Sequence, residues 1–514
     1  MTTPAQVSIA LLLLPWGLLP GSITPTAFSK EAFASASAAD SGITSAEAGL
    51  AQTGLAAKSL ASTAAKPKGS EQPAVWIRPQ QIRPLSGQLN DVLMVNDNNP
   101  ELITGEGILL STFNDQSDSE QNKSGLNQPL NGRFDLFSHH VYAGKPDQLD
   151  STLWLGLLAQ PLGNAPVQVE LLAGSTSLSQ ATEPGQTAAP FLPLPSLIPE
   201  TTTAIAAGPG SKVAGDLLRR EQAAELPNQW RLKSGSPTLL LALPIPVAGL
   251  DPLLNGRNLQ MRLQSSAPIA LASLASFGDR ITPPAMSRWI ELLNSGELSP
   301  KEHLPTPRGS RGKIIYSRVS GVQVGSTWRG ILTDPGSDQL MAPEEPVSWP
   351  ISSVERGNFA TGKIQTAELK SFYPGTAWAA HGNYGVEYDL SIPLVNRSER
   401  PIKLALSLDA PLKTDKKSSG LSFRSKLTGP VVFRGPIEVT GLDQQSGRRP
   451  QGRRRFHLVL RQGQQGPSLG TISLAPRQTR RVQVRLIYPA DATPPQVLTL
   501  QPVKQSRSIS TVRP

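Results

Sequence analysis

Histidine is scarce in this chain, with five in 514 residues, and two of the five are adjacent, His139 and His140. They lie in the stretch LNGRFDLFSHHVYAG, four residues after Asp135. In a strand, neighbouring side chains point to opposite faces, so the two histidines cannot share one metal without a bulge. Asp135 shares the face of His139 but stands roughly 13 Å along the strand. Bringing Asp135, His139 and an outside residue such as His381 onto one ion would need a bend, and no metal is expected. His381 opens HGNYG, and Glu387 follows six residues on. For a carbohydrate-active hydrolase on a β scaffold, Asp135, His139, His381 and Glu387 are the catalytic candidates. A pocket that gathers two of them supports that chemistry, and wide separation removes it. Trp378 and Tyr384 flank the same loop and could stack on a sugar. The expectation for the loop itself is a packed β corner, because Gly382, Asn383 and Gly385 tolerate tight-turn backbone.

The chain has no cysteine, which excludes disulfides, thiol nucleophiles, thiolate zinc sites and iron–sulfur clusters. It has no GxSxG elbow, phosphate-cradling GxxxxGK[ST] loop, strand-borne GxGxxG or HExxH. No cofactor is expected, and a non-enzymatic role is favoured over an enzymatic one.

Arginine is the other chemistry-bearing residue. Arg448, Arg449, Arg453, Arg454, Arg455 and Arg461 surround Pro450–Gln451–Gly452, read as a hairpin tip entering a strand at Phe456–Leu460. Arg477, Arg480, Arg481 and Arg485 follow. Residues 397–514 hold 22 Lys+Arg against 6 Asp+Glu, or +16, while residues 1–396 hold 27 against 33, or −6. Such a basic region suits an anionic partner, and arginine forks suit carboxylate, sulfate or phosphate. Only Phe456 interleaves aromatically, which argues against single-stranded nucleic acid. The expected partner is an anionic polysaccharide or cell-wall polymer, bound through Arg448, Arg449, Arg453, Arg454 and Arg455. The opposing reading is a solvated basic face.

Composition sets the scaffold. With 48 prolines, 44 glycines and 17% charged residues, proline well above the usual ~5%, the chain suits short strands joined by turns. The fold expected is mainly β, with two β-sandwich-like domains and a few short helices. Leu153–Leu158, a turn at 163–166 and the alternating Val167, Val169 and Leu171 read as a hairpin. Leu390–Leu394, a turn at 396–401 and the alternating Ile402–Leu408 read as a second, placing one hairpin in each domain. Met261–Leu263 and Ile269–Phe277 read as two strands, and Lys313–Val319 as another. Helices are expected at 211–220 and at 286–294, the latter capped by Thr282 and ended by Gly296. Val7–Leu19 is a 13-residue apolar run, too short to span a bilayer comfortably and suited to a secretory signal. No later run is long enough for a transmembrane helix. The division expected is a signal peptide at 1–38, a flexible leader at 39–75, an N-terminal β domain at 76–298, a linker at 299–312, a basic C-terminal β domain at 313–500 and a tail at 501–514. The expected location is the periplasm or the exterior.

Several phrases carry a resemblance in one order: IRPLSGQLNDV, EGILLSTF, LNGRFDLFSHH, LPIPVAGLDPLLNGR, GKIIYSRVSGV, AHGNYGVEY and YPADATPPQVLTLQ. Together they resemble the cyanobacterial family labelled domain of unknown function 3370, over roughly residues 76–503. The resemblance implies an exported cyanobacterial protein. It implies no activity and transfers no site residue.

Overall fold

A computed structural model describes residues 74–503, apart from 116–122, 202, 308–309, 313 and 445–451. The signal, almost all of the leader and nearly all of the tail lie outside the described residues. The architecture is mainly β, with sheets of eleven, eight, five and two strands and two short helices among the described residues.

The eleven-stranded sheet is built on one 26-residue strand, Leu254–Asp279. The two strands read at 261–263 and 269–277 are therefore one. Its first half pairs with Leu130–Ala143 on one side and Val167–Leu178 on the other. Its second half pairs with Gly107–Ser111 and Ser151–Pro161. The register jumps between Ser265 and Ile269. Pro268 lies in that jump and cannot donate to a ladder; its carbonyl accepts from Leu162 N at 3.0 Å.

This arrangement corrects the first hairpin. Ser151–Pro161 and Val167–Leu178 do not pair with each other; they run end to end along one neighbour. The second hairpin is corrected too. Glu387–Val395 belongs to the eight-stranded sheet and Ile402–Asp409 to the five-stranded sheet. Leu390, Ile392 and Leu394 share a core with Leu404, Leu406 and Leu408, so the turn at 396–401 is an arch between facing sheets. Those two sheets form a sandwich around that core. In both cases the alternation is real, because one face is buried, but alternation does not say which strand fills the ladder.

The strands cross residues 299–312 in both directions. Val75–Pro79, Gln81–Ile82 and Gln88–Leu89 pair with Gly420–Arg424, Val347–Ile351 and Thr327–Ile331. Ser320–Val324 and Leu369–Phe372 extend the eleven-stranded sheet beyond Leu93–Asp97. Residues 314–319 form no strand; the strand read at Lys313–Val319 is corrected, over the described 314–319, to a segment without ladder pairing that bonds to loops, as in Asn98 N to Val319 O at 3.0 Å.

The helix Pro209–Arg219 is wedged between two β bodies, the eleven-stranded sheet (the first) and the sandwich (the second). Val213, Ala214, Leu217 and Leu218 pack with Ile487, and Asp491 of the second body accepts from Ser211 N at 2.8 Å. A carboxylate at that end also suits the helix dipole. The other helix, Met286–Ser295, ends at Gly296 with φ 70° as expected, but its N-cap is Ala285. Thr282 cannot serve, because Pro284 disfavours helical backbone at Pro283.

Candidate functional site

Leu93–Asp97 runs parallel to Leu130–Ala143, with Asp97 beside Ser138. Asn96, Asp97, Asn98 and Asn99 continue that strand into the interior and are all buried. His140 is fully buried beside them. Its Nε2 lies 3.1 Å from Asp97 Oδ2 and its Nδ1 2.7 Å from the Pro100 carbonyl. Each ring nitrogen thus faces an oxygen. Burial pushes the Asp97 carboxyl up, but His140, a hydrogen bond from Ser273 and the Lys301 ammonium more than offset it, leaving it below its ordinary range. Lys301 donates to the carbonyls of Asn99 at 3.0 Å and Leu109 at 2.5 Å, and burial lowers it to about 8.

His139 points the other way, as strand alternation requires. It lines a small cavity with Asn98, Glu101, Arg318, His381, Tyr384 and Ala490. Two of the four catalytic candidates, His139 and His381, therefore meet. The cavity offers about 10 Å³, room for about one water and none for a sugar. His139 Nε2 is 3.7 Å from Glu101 Oε1. Arg318 contacts Glu101 and also Glu302 at 3.3 Å. Burial dominates the electrostatics here. It drives His381 down to about 3, helped by Arg318 and Lys413. It raises Glu302 to about 7 and Asp491 to about 6, and it lowers His139. Among the described residues no three His, Asp or Glu side chains converge to hold a metal ion.

The other two candidates lie elsewhere. Asp135 is held by Arg133; its carboxyl is raised by burial against the pull of Arg133, Arg262 and Ser326. Glu387 pairs with Arg262 and with Arg485, each at 2.6 Å. Burial would raise it, yet the two guanidiniums hold it below the usual range. A carboxylate clamped by two arginines joins the bodies and is poorly suited to give up or take a proton. Sequence reasoning missed Asp97, Glu101, Glu302, Arg318 and Asp491. The signal that could have found the first of these was four polar residues, Asn96–Asn99, directly after an apolar strand.

Of the predicted ligand residues, Tyr384 is packed inside. Its ring stacks on Phe137 at 6.4 Å and its hydroxyl donates to the Ala492 carbonyl at 3.1 Å, so the HGNYG loop is a packed corner. Trp378 is half-buried. Arg448 and Arg449 lie outside the described residues. Arg453 and Arg455 both reach Glu438, at 3.1 and 2.9 Å, which also holds Arg485 at 3.0 Å. Arg454 sits over the Phe456 ring, 5.0 Å from its centre. The strands Val431–Thr440 and Arg454–Arg461 pair antiparallel.

Topology gathers basic residues at one end of the sandwich. The turns at 396–401 and 475–478 touch through Asn396 N to Gln478 O at 2.9 Å. Asp443, from the connection after Thr440, reaches Ser473 at 2.8 Å and Arg480 at 2.6 Å, and Ser473 lies opposite Lys403. Arg397, Arg400, Lys403, Arg453, Arg477 and Arg481 are exposed there. Beside them opens a groove of about 340 Å³. No helix among the described residues is long and apolar enough to cross a membrane.

No curated protein matches this chain. The family model described as protein of unknown function (DUF3370) matches residues 80–502, and the chain belongs to that family.

Proposed function

We propose that this is an exported, non-enzymatic envelope protein whose sandwich holds an anionic polymer, an acidic glycan or wall polysaccharide, at its basic end. The observation that carries this reading is the convergence of Arg397, Arg400, Lys403, Arg453, Arg477 and Arg481 on turns and strand ends at one end. Glu399, on Arg477, is exposed among them; Glu438 and Asp443 are buried beneath them. Repeating anionic groups on a polymer can engage several such cations at once, with salt-sensitive affinity. The apolar run Val7–Leu19 supports export. The hydrolase reading has less support: His139 and His381 meet, but around space for a single water, while Asp135 and Glu387 are committed to arginines.

The test is co-sedimentation of the chain from Asp40 onward with isolated peptidoglycan and with an anionic polysaccharide, at low and high salt. The comparison is a variant with Arg400, Lys403, Arg453 and Arg481 changed to Gln. Binding that weakens with salt and is lost in the variant is the expected result. Absence of binding in every condition overturns the proposal.

A further inference from the structure

The groove beside the basic end is the open mouth of the sandwich. Its floor is the sandwich core itself: Leu340 and Val347 are core residues, and Ala342 and Ile402 pack against that core. Met341 is 52% exposed on its wall. The rim carries charge of both signs. Arg83 and Asp334 neutralise each other at 2.9 Å. Glu344 and Glu345 stand exposed, and among the described residues no cation pairs with either. Arg397, also exposed, has Gln339, at 3.4 Å, as its one side-chain hydrogen-bond partner among the described residues. The unspent charge is therefore two carboxylates and one guanidinium around an apolar floor. A volume of about 340 Å³ lies in the range of small-ligand sites, which favour such mouths.

We infer that this groove binds a short peptide bearing an aliphatic side chain, two ammonium groups and a carboxylate. The aliphatic group lies over Leu340, Val347 and Ile402. The ammonium groups face Glu344 and Glu345, and the carboxylate faces Arg397 as a fork partner. An anionic polymer would be repelled by the two glutamates, so the groove and the basic end select different molecules; Arg397 lies on the border of both, and the polymer variant leaves it unchanged.

Met341 provides the readout. The chain has five methionines, and Met341 is the one lining the groove. The methyl groups of the full chain are labelled with carbon-13, the Met341 signal is assigned with Met341→Leu, and the dipeptide Leu-Lys is titrated in. A saturable shift at Met341 is expected, with buried Met94 and Met261 unmoved. Affinity should fall about threefold or more in Glu344→Gln/Glu345→Gln and in Arg397→Gln, the scale of losing a partly exposed charge pair. Uncharged N-acetyl-leucinamide should bind more weakly than Leu-Lys. Equal binding of the two probes, or unchanged affinity in both variants, would overturn the peptide assignment and leave a merely apolar mouth. Absence of a saturable shift would overturn the site.

Discussion

His457 has 0% of its surface exposed, and neither ring nitrogen has a hydrogen-bond partner among the described residues. Burial, then the charges of Arg434 and Arg219, lower it to about 4, against an ordinary 6.5. The unfolded chain therefore takes up a proton between pH 6.5 and 4 that the folded chain refuses. Its stability contribution is intact above 6.5 and is lost as pH falls towards 4. Against His457→Leu, the natural chain should lose on the order of 3 kcal/mol between pH 7 and 4, measured by urea unfolding. Asp491, raised to about 6, acts in the opposite sense, losing stability as pH rises through that value; the difference between the two chains cancels it. Asp97 supports a second expectation. Asp97→Asn leaves His140 and Lys301 without their buried carboxylate and should destabilise by about 3–5 kcal/mol, read from the same urea midpoints. At this scale the sequence was only partly legible. Strand alternation correctly separated His139 from His140. Asp97 was missed because a polar run at a strand end resembles a surface loop until the segment covering it is known, and Arg318 because it lay in a segment read as an ordinary alternating strand.

Ser151–Pro161 shows what was legible in an element and what was not. Its continuous run Leu153–Leu158 signals burial on both faces, and both faces are buried. Leu153, Leu155 and Leu157 enter the main core of the first body, while Trp154 and Leu158 pack with Trp289 of the second helix. The partners were not legible, because a turn at 163–166 reads alike whether the chain reverses or continues. Gly156 makes room for the helix: a Cβ there would lie 2.7 Å from the Trp289 ring. Gly156→Ala should therefore cost about 1–3 kcal/mol, visible as a lowered melting temperature. Combined with Trp289→Leu, the two losses should sum to less than their separate values, since the ring that clashes is then gone.

Across the molecule, residues 299–312 read as a linker from their composition, but the sheets do not divide there. Leu93–Asp97 has Ser320–Val324 as its outer neighbour, and Trp349 and Val347 of the sandwich lie on a strand flanked by Gln81–Ile82. The arginine–glutamate chain from Arg262 through Glu387 and Arg485 to Glu438 joins strands of both bodies. The wedged helix Pro209–Arg219 takes its N-terminal acceptor, Asp491, from the far end of the chain. Composition reports how each segment meets solvent, not which distant strand completes its ladder, so this interleaving was not legible in the sequence. It has a consequence for cooperativity. A fragment 76–298 would expose the ladder edge of Leu93–Asp97, and a fragment 313–500 would lack four strands that its sheets use, Leu197–Glu200 beside Arg454–Arg461 among them. Neither should fold alone. The whole chain should unfold in a single transition, with calorimetric and van 't Hoff enthalpies in agreement. Two separated transitions, or a folded fragment with dispersed amide signals, would show that each body closes its core without the other's strands.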